Sequence, residues 1–411
     1  MEETLTKGVV VVTGGPGTGK TTTINLMIRC FEMEKMDIVL AAPTGRAAKR
    51  MTEATGYEAK TIHRLLEVSG GIEDGDSSHF EKNEDNPIEA DAVILDEMSM
   101  VDIHLMYSLL KAIVPGTRLI LVGDSNQLPS VGPGNVLKDI IDSKAFSVVR
   151  LSKIYRQAES SHIVLNAHKI NAGELITLDN KNKDFFFFEK KDVRSVMGAL
   201  VYLVKTRLPE YIGASPFEIQ VLTPMRKGEL GVEHLNEVLQ YYLNPASESK
   251  KEKEGRTGVF REGDKVMQVK NNYKLEWKIT NAKGFSIEEG LGVFNGDMGI
   301  IKQINTYSER ITVVFDENRE AEYPFSSLDE LELAYAITIH KSQGSEYPAV
   351  VLPLLSGPPI LCNRNLLYTA ITRAQKCVAI AGRQSMVEQM IHNETEQKRY
   401  SGLNDCLKEG L

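Results

Sequence analysis

The chain has 411 residues, 42% of them hydrophobic and 25% charged, and at roughly 100–200 residues per domain this length predicts two to four globular domains. The net charge of −8 excludes a generally basic nucleic-acid binder, so a surface for DNA would be confined to one groove. No apolar stretch approaches the ~20 residues of a membrane span, and the N-terminal residues predict a strand and a helix rather than a signal peptide. The cysteines are scattered along the chain, which indicates reduced thiols and a cytoplasmic protein.

The first predicted element is a buried strand that leads into a glycine-rich loop, VVVVTGGPGTGKTTT at residues 9–23. Its valines do not alternate with polar residues, which is typical of a parallel strand covered on both faces. Helical spacing begins at Thr21, and Gly14, Gly19, Lys20 and Thr21 fit the phosphate-loop pattern GxxxxGK[ST], which the flanking strand and helix favour over a chance glycine-rich turn. Lys20 would reach the phosphates and the Thr21 hydroxyl would bind magnesium. The predicted nucleoside-triphosphate site comprises Gly15, Gly17, Thr18, Gly19, Lys20, Thr21 and Thr22.

Two further predicted strands end in polar residues. Residues 92–95 are followed by Asp96 and Glu97, and TRLILVGD leads into a loop that contains Gln127. Ligands bind at the carboxyl ends of parallel strands, so we expect Asp96 to hold magnesium and Glu97 to orient or deprotonate the attacking water. Asp124 and Gln127 are expected at the same edge, where an amide can sense the γ-phosphate. The alternatives are a helix N-cap for the acids and a solvated turn for the amide.

A family resemblance rests on segments that occur in order along the chain: GGPGTGKTT, APTGRAAKR, TIHRLL, LDEMSM, VGDSNQLPSVGPG, IYRQA, LTPMRKGELG, AITIHKSQGSEY and LLYTAITRAQ. They resemble the motifs of superfamily 1 DNA helicases of subgroup B, in particular the RecD-like branch. The resemblance implies an α/β fold with two RecA-like motor domains, an ATP cleft and single-stranded DNA bound across both domains. It also implies a helicase that moves 5′ to 3′, couples Mg-ATP hydrolysis to motor-domain closure, acts at the DNA fork and has repair or recombination partners.

The resemblance assigns roles to side chains outside the phosphate loop. Arg156 and Arg373 resemble the arginines that the second motor domain presents to the γ-phosphate, a role that suits a charged, forked guanidinium. Gly344 and Glu346 resemble residues near the γ-phosphate and ribose, and Glu346 also fits a surface acid. His63 and His340, which the resemblance assigns to DNA contact, have no partner residues at the sequence spacing of metal ligands. The expected DNA contacts are Thr44, Arg46, Thr61, His63, Arg226, Lys227, Thr338, His340 and Ser342.

Basic residues indicate where DNA phosphates would bind. Arg46, Lys49 and Arg50 share one helical face by their spacing, and this face either contacts DNA or is solvated. Arg226 and Lys227 are predicted at the start of a helix, which suits phosphate contact. Binding is expected to be largely independent of base sequence and strongly dependent on salt.

Two insertions into the motor are predicted. Residues 255–332 contain short alternating runs separated by Gly, Asn and Asp, which predicts a small antiparallel barrel, and similar helicases carry an SH3-like barrel here. Its Trp277 would stack on a base or pack in the barrel core. The second insertion, about 67–90, corresponds to the family's pin, but it is acidic, with Lys82 nearly its only positive charge. Because acid is unfavourable beside DNA, strand separation is less well supported than translocation.

The predicted domains are a first motor domain at 1–150, a second at 151–254 and 333–411, and the inserted barrel between them. Similar helicases have an adenine-binding segment and often a whole domain upstream of the phosphate loop, so a truncated chain with weakened ATP binding is expected. Two other functions remain open: a 3′ to 5′ helicase, and a DNA-binding subunit or fragment of a repair complex with an inactive ATPase. A nuclease lacks support, because no further acidic cluster has metal-binding spacing.

Overall fold

A computed structural model describes residues 2–67, 80–155, 160–255, 258–281, 285–395, 399 and 401–410. They form two compact units. The first comprises Met1–Glu174, Gln343–Ser345 and Glu394–Leu411, and the second comprises Leu175–Ser342 and Glu346–Asn393. Residues 151–174 and 394–411, which the sequence assigns to the second motor domain, thus group with the first unit. The division into two motor domains and a barrel stays a prediction.

The first unit is built on a parallel sheet whose strands are β1 (Val9–Gly14), β2 (Ile38–Ala42), β3 (Ala59–Thr61), β4 (Ala92–Leu95), β5 (Arg118–Gly123) and β6 (Ser147–Leu151). Their order is β3-β2-β4-β5-β1-β6, and each neighbouring pair is parallel. The helices of this unit are α1 (Glu2–Thr6), α2 (Lys20–Met33), α3 (Gly45–Thr55), α4 (Ile62–Leu65), α5 (Ile103–Lys111), α6 (Val136–Ser143) and α7 (His162–Ala172). The predicted strands before the glycine loop, before Asp96 and before Gln127 are confirmed as β1, β4 and β5.

Strand β1 is buried on both faces, as its valine run predicts. Val10 and Val12 pack in one cluster with the buried side of α2, whereas Val11 packs in the opposite layer with residues of α5 and α6. The α2 residues of the first cluster follow the helical repeat: Ile24, Met27, Ile28 and Phe31. Burial on both sides fixes the carboxyl end of β1, and with it the start of the glycine loop.

The second unit contains the strands β7 (Phe185–Glu189), β8 (Ile219–Thr223), β9 (Glu252–Gly255), β10 (Gly258–Arg261), β11 (Lys265–Gln268), β12 (Asn272–Thr280), β13 (Ser286–Val293), β14 (Met298–Asn305), β15 (Arg310–Phe315), β16 (Glu320–Pro324), β17 (Leu331–Leu333), β18 (Ala336–Thr338), β19 (Tyr347–Leu354) and β20 (Ala374–Gly382). Its helices are α8 (Val193–Tyr202), α9 (Leu208–Ile212), α10 (Val232–Leu243), α11 (Arg364–Thr372) and α12 (Gln384–His392). A last helix, α13 (Leu403–Glu409), belongs to the first unit. Among the described residues, none of the helices has the length and apolar character needed to cross a bilayer.

The second unit combines a parallel and an antiparallel sheet. The parallel sheet has the order β18-β8-β19-β20-β7, and the antiparallel sheet has the order β13-β12-β16-β15-β14-β11-β17. The predicted parallel α/β architecture and the antiparallel insertion are therefore confirmed. Trp277 on β12 is half-buried and packs against the core of the unit, with the Arg319 guanidinium 5.6 Å from its ring.

The structure describes both ends of the acidic insertion at 67–90, whereas residues 68–79 lie outside the described residues. The N–H groups of Glu81 and Lys82 donate to the carbonyls of Glu67 and Leu66 at 2.8 and 3.1 Å. These bonds close the base of the insertion. Its role as a pin stays a prediction.

We expect Phe31→Ala to lower the free energy of unfolding by about 3–5 kcal/mol, because it removes a fully buried ring between α2 and the sheet. Met33→Ala on the same helix is the matched control: Met33 is 83% exposed, and its truncation should cost less than about 0.5 kcal/mol. Urea unfolding followed by circular dichroism measures both. Equal losses from the two substitutions would contradict this packing.

Candidate functional site

The glycine loop joins β1 to α2 and has the strand-loop-helix context that its motif requires. Helix α2 begins at Lys20, and Gly19 before it has φ +83°, a left-handed conformation that favours glycine. A Cβ on Gly19 would lie 2.6 Å from Tyr155 Cε2, so the aromatic ring leaves no room for a side chain there. Thr21 and Thr22 are exposed in the first helical turn. The loop therefore ends at a helix N-terminus, where N–H groups and the helix dipole favour an anion.

The lysine and a threonine of the loop bind the loop's own carbonyl oxygens. Lys20 Nζ donates to Gly14 O at 2.7 Å and to Gly15 O at 3.1 Å. Thr18 Oγ1 donates to Gly15 O at 2.8 Å. With these carbonyl oxygens engaged, the loop can present its backbone N–H groups to an anion.

Residues downstream of β6 also hold the loop. The Tyr155 backbone N–H donates to Gly17 O at 3.2 Å, and His168 Nε2 on α7 lies 3.2 Å from Pro16 O. Neither residue was predicted from the sequence to belong to this site. His168 and Pro16 are 152 positions apart, and no local pattern in the sequence indicates their contact.

The acidic pair follows β4 as predicted. Asp96 Oδ1 accepts from the Glu97 N–H at 2.8 Å. Burial, and then the Glu97 carboxylate, raise the pKa of Asp96 to about 6, against the opposing effects of Lys20 and Arg50. Glu97 has φ +55°, which is strained for a non-glycine residue, and its carboxylate lies 3.6 Å from the Arg50 guanidinium. Glu97 occupies the N-cap position of the short 3-10 helix Met98–Met100 without a side-chain capping bond, and Asp102 caps the next α-helix, α5. The capping alternative for the two acids is therefore met in position only.

Gln127 lies in the loop after β5 and is 7% exposed, which is inconsistent with a solvated turn. Within the described part of the chain, its Oε1 atom is buried without a hydrogen-bond partner. Asp124 shapes the turn, since its carboxylate accepts from the Asn126 N–H at 3.1 Å and its carbonyl accepts from the Gln127 N–H at 3.2 Å. A buried acceptor that the protein does not satisfy indicates a place for a ligand or water.

The segment Gln343–Ser345 packs beside the Gln127 loop in the first unit. Gln343 Nε2 donates to Leu128 O at 2.7 Å. Gly344 lies against Thr44, since a Cβ at this glycine would come within 2.6 Å of Thr44 Oγ1. The predicted role of Gly344 near the γ-phosphate stays a prediction.

The predicted DNA contacts of the first unit have local structural roles. Thr44 and Thr61 cap α3 and α4, and their hydroxyls accept from backbone N–H groups at 3.2 and 3.1 Å. Arg46 Nη1 donates to the Ser345 hydroxyl at 3.3 Å. Burial lowers the pKa of His63, so its ring is neutral at pH 7. Contact of these residues with DNA stays a prediction.

The nucleotide contacts predicted for the second motor domain were Arg156, Arg373 and Glu346. Arg156 lies outside the described residues. Arg373 directly follows α11 and is 2% exposed, unlike a solvated surface arginine. Glu346 Oε2 accepts from Gln375 Nε2 at 3.2 Å. The approach of these residues to a phosphate stays a prediction.

The placement of Arg226 and Lys227 at a helix start was wrong. Both lie in the loop between β8 and α10, because α10 begins only at Val232 and the preceding segment RKGELG forms turns. Arg226 Nη2 donates to Glu332 Oε1 at 2.6 Å, and Lys341 Nζ donates to Glu332 Oε2 at 3.0 Å. Burial opposes the ionisation of Glu332, but these two cations outweigh it and lower the pKa of Glu332.

The remaining predicted DNA contacts follow β18. Thr338 Oγ1 accepts from the Lys341 N–H at 3.3 Å, and His340 is exposed. Ser342 is 0% exposed and its hydroxyl donates to Ile339 O at 2.7 Å. Of the three, His340 is the side chain that the structure places at the surface of its unit.

In the described ranges, no group of three or more His, Cys, Asp and Glu side chains could hold a metal ion alone. The predicted magnesium ligands Asp96 and Thr21 supply a carboxylate and a hydroxyl oxygen. Magnesium commonly binds one or two such protein oxygens together with phosphate oxygens and water. The donor set therefore fits an ion that arrives with a nucleotide.

Family models match three parts of the chain. An AAA domain matches residues 1–133, an ATP-dependent RecD-like DNA helicase SH3 domain matches residues 235–315, and a UvrD-like helicase C-terminal domain matches residues 333–381. The second match confirms that the predicted insertion is SH3-like.

Full-length relatives decide the family. The chain is 31% identical to the RecBCD enzyme subunit RecD of Mycolicibacterium smegmatis over 98% of the chain and 73% of that relative, and 32% identical to the RecD subunit of Mycobacterium tuberculosis over 95% and 69%. The chain belongs to the RecD-like family of superfamily 1 DNA helicases. The predicted family is therefore confirmed. The RecD-like chain is also 37% identical to the ATP-dependent RecD2 DNA helicase of Deinococcus radiodurans over 91% of its length, but it spans only 47% of that relative.

Solved structures share the fold of this RecD-like chain. The crystal structure of Pif1 helicase from Bacteroides in complex with ADP-AlF3 and ssDNA has a TM-score of 0.52 at 20% identity, and the match covers 93% of the chain and 90% of the other. A structure of two coordinating Pif1 helicases at forked dsDNA gives the same TM-score and identity, with coverage of 92% and 90%. These likenesses confirm the predicted α/β fold with parallel sheets.

We expect Asp96→Asn to stabilise the RecD-like chain at pH 8 when nucleotide and magnesium are removed with EDTA. Folding raises the pKa of Asp96 from 3.8 to about 6, so the folded state binds its proton more tightly and loses stability as the pH rises through this window. At about 1.4 kcal/mol per pKa unit, the carboxylate costs about 3 kcal/mol above pH 6, and the neutral amide avoids this cost.

Thermal unfolding at pH 4 and pH 8 measures the effect. Near pH 4 the buried acid is protonated, and the variant should unfold at nearly the wild-type temperature. Asp142→Asn on the exposed side of α6 is the control and should change neither value. An equal gain at both pH values would show that Asp96 titration is not the cause.

Proposed function

We propose that this RecD-like chain is an ATP-dependent DNA helicase that moves 5′ to 3′ along single-stranded DNA. The observation that carries the proposal is the glycine loop in one unit with the buried Asp96, the strained Glu97 and the unsatisfied Gln127 acceptor, in a chain whose relatives include a named DNA helicase. Because the chain spans about half of that relative, its activity, DNA substrate and partners are all parts of the proposal.

Lys20 is proposed to exchange its partners when ATP binds. Its amine engages Gly14 and Gly15 oxygens, and the more negative phosphate oxygens would compete for the same donor. Thr21 and Asp96 would hold Mg2+, which supplies charge neutralisation at the phosphate oxygens. Asp96 must bind as a carboxylate, so metal binding would release the proton that this buried acid carries near pH 6.

Gln127 and Glu97 are proposed to act on the attacking water. Gln127 Oε1 would accept a hydrogen bond from this water and thereby orient it. A Glu97 carboxylate oxygen would accept its proton, and the Arg50 guanidinium lies 3.6 Å from this carboxylate. Arg156 and Arg373 would stabilise negative charge on the transferred phosphoryl group, a role worth about 10³–10⁵ in rate in related reactions.

Translocation is proposed to follow from closure and opening of the motor domains. ATP would join Lys20 to Arg373, which the sequence assigns to the second motor domain, and hydrolysis would remove the γ-phosphate that they share. The DNA backbone would be bound by polar and basic side chains of both domains, with binding that weakens as salt is raised.

We also infer action at a DNA fork. Partner proteins of repair or recombination are inferred from the relatives named as RecBCD subunits.

We expect Lys20→Ala to abolish ATP hydrolysis stimulated by single-stranded DNA, because it removes the cation that reaches the phosphates. Steady-state phosphate release, with and without a homopolymeric DNA strand, measures the effect. Lys7→Ala is the control, since Lys7 is an exposed lysine of the same unit. If the wild-type chain hydrolyses no ATP with DNA present, the motor function is refuted for this chain.

We expect duplexes with a single-stranded 5′ tail to be unwound and those with a 3′ tail to remain intact. Unwinding is measured as release of a fluorescent strand from two substrates of equal duplex and tail length. Unwinding of the 3′-tailed substrate alone would favour the opposite direction. DNA binding without ATP turnover would favour a DNA-binding assembly subunit.

A further inference from the structure

A histidine outside the helicase motifs holds the apex of the phosphate loop. His168 lies on α7 within the first unit, and its Nε2 atom is 3.2 Å from the carbonyl oxygen of Pro16. A carbonyl oxygen can only accept, so the hydrogen of this bond resides on His168 Nε2. The histidine is therefore a donor to the loop.

This bond controls the direction of one peptide unit. In a trans peptide the C=O and the following N–H point to opposite sides, so fixing the Pro16 oxygen toward α7 also fixes the Gly17 N–H. Gly17 has φ +72°, and glycine rotates between such conformations at little steric cost. Pro16 and Gly17 form the apex of the loop, and Pro16 has no N–H group. At the apex, the donor that can bind a phosphate is therefore the Gly17 N–H.

The His168 bond differs from the bonds that Lys20 makes. Lys20 holds the Gly14 and Gly15 oxygens with the same amine that the phosphates would recruit. His168 is not part of the loop, and its bond to Pro16 does not compete with a phosphate. The Pro16–Gly17 peptide can therefore keep its orientation while Lys20 changes partners.

We propose that His168 is a positioning residue for nucleotide binding, which keeps the Pro16 oxygen away from the phosphates and the Gly17 N–H toward them. The inference rests on the proposed function, because it assumes that this loop binds a nucleoside triphosphate. His168 sets the affinity of the loop and takes no part in the chemical step. Its loss therefore raises Kd and KM and leaves kcat nearly unchanged.

The test compares His168→Asn with His168→Gln. Both carry an amide, but the glutamine Nε2 reaches the position of the histidine Nε2, whereas the shorter asparagine donor does not. We expect His168→Asn to raise the Kd for a fluorescent ADP analogue with Mg2+, and the KM for ATP, about 3- to 10-fold, as for loss of one hydrogen bond. His168→Gln should stay within about twofold of wild type. Asn171→Ala, at an exposed position of α7, is the control and should have no effect.

Thermal unfolding establishes that each full-length variant is folded. Unchanged affinity in His168→Asn, or equal weakening in the asparagine and glutamine variants, would overturn the proposal. If the wild-type chain itself binds no nucleotide, the proposed function fails as well. If the wild type binds, Lys20→Ala binds weakly and His168→Asn binds like the wild type, only the role of His168 is refuted.

Discussion

The orientation of the backbone at residues 14–17 is the constraint on which the nucleotide site depends. Burial of β1 on both faces of the sheet fixes where the loop begins, and α2 fixes where it ends. Between these anchors, glycine-rich backbone would adopt many conformations, and ordering it costs more entropy than ordering other residues. Donors from the loop and from residues 151–174 offset part of this cost, because they engage the carbonyl oxygens one by one.

Several groups of the site are energetically unfavourable within the protein. Asp96 is buried next to another carboxylate, Glu97 has a left-handed backbone, and Gln127 has a buried acceptor without a partner in the described residues. Each feature lowers the stability of the fold. A cation would offset the charge of Asp96, and a polar ligand would satisfy Gln127. Groups that serve only to hold a fold are normally satisfied within it. Asp96, Glu97 and Gln127 instead carry these unfavourable features, and all three follow the ends of β4 and β5. This edge of the sheet is therefore marked as functional.

Local patterns in the sequence predicted the elements that depend on neighbouring residues. The valine run, the glycine spacing and the apolar residues before Asp96 were sufficient for β1, the loop and β4, since each pattern reports burial or backbone geometry within a few positions. The segment around Arg226 was placed on a helix wrongly, because its charge pattern says little about the glycines that form turns there. The charge pattern on α3 located a basic face but did not reveal that Arg50 pairs with Glu97, a contact that needs the folded sheet.

The part of the site that the sequence could not predict is held by contacts between distant residues. The loop that carries Gln127 lies between β5 and α6, and its described residues form no helix or strand that would hold it by regular backbone hydrogen bonds. Side chains from far along the chain bind its carbonyl oxygens: Gln343 donates to Leu128 O, and Arg399 Nη1 donates to Gly132 O and Gly134 O at 2.5 and 2.9 Å. Helix α13 packs its apolar residues against the same core as α6. Because such contacts follow from the folded topology and leave no periodic trace in the sequence, the position of Gln127 is a property of the whole first unit.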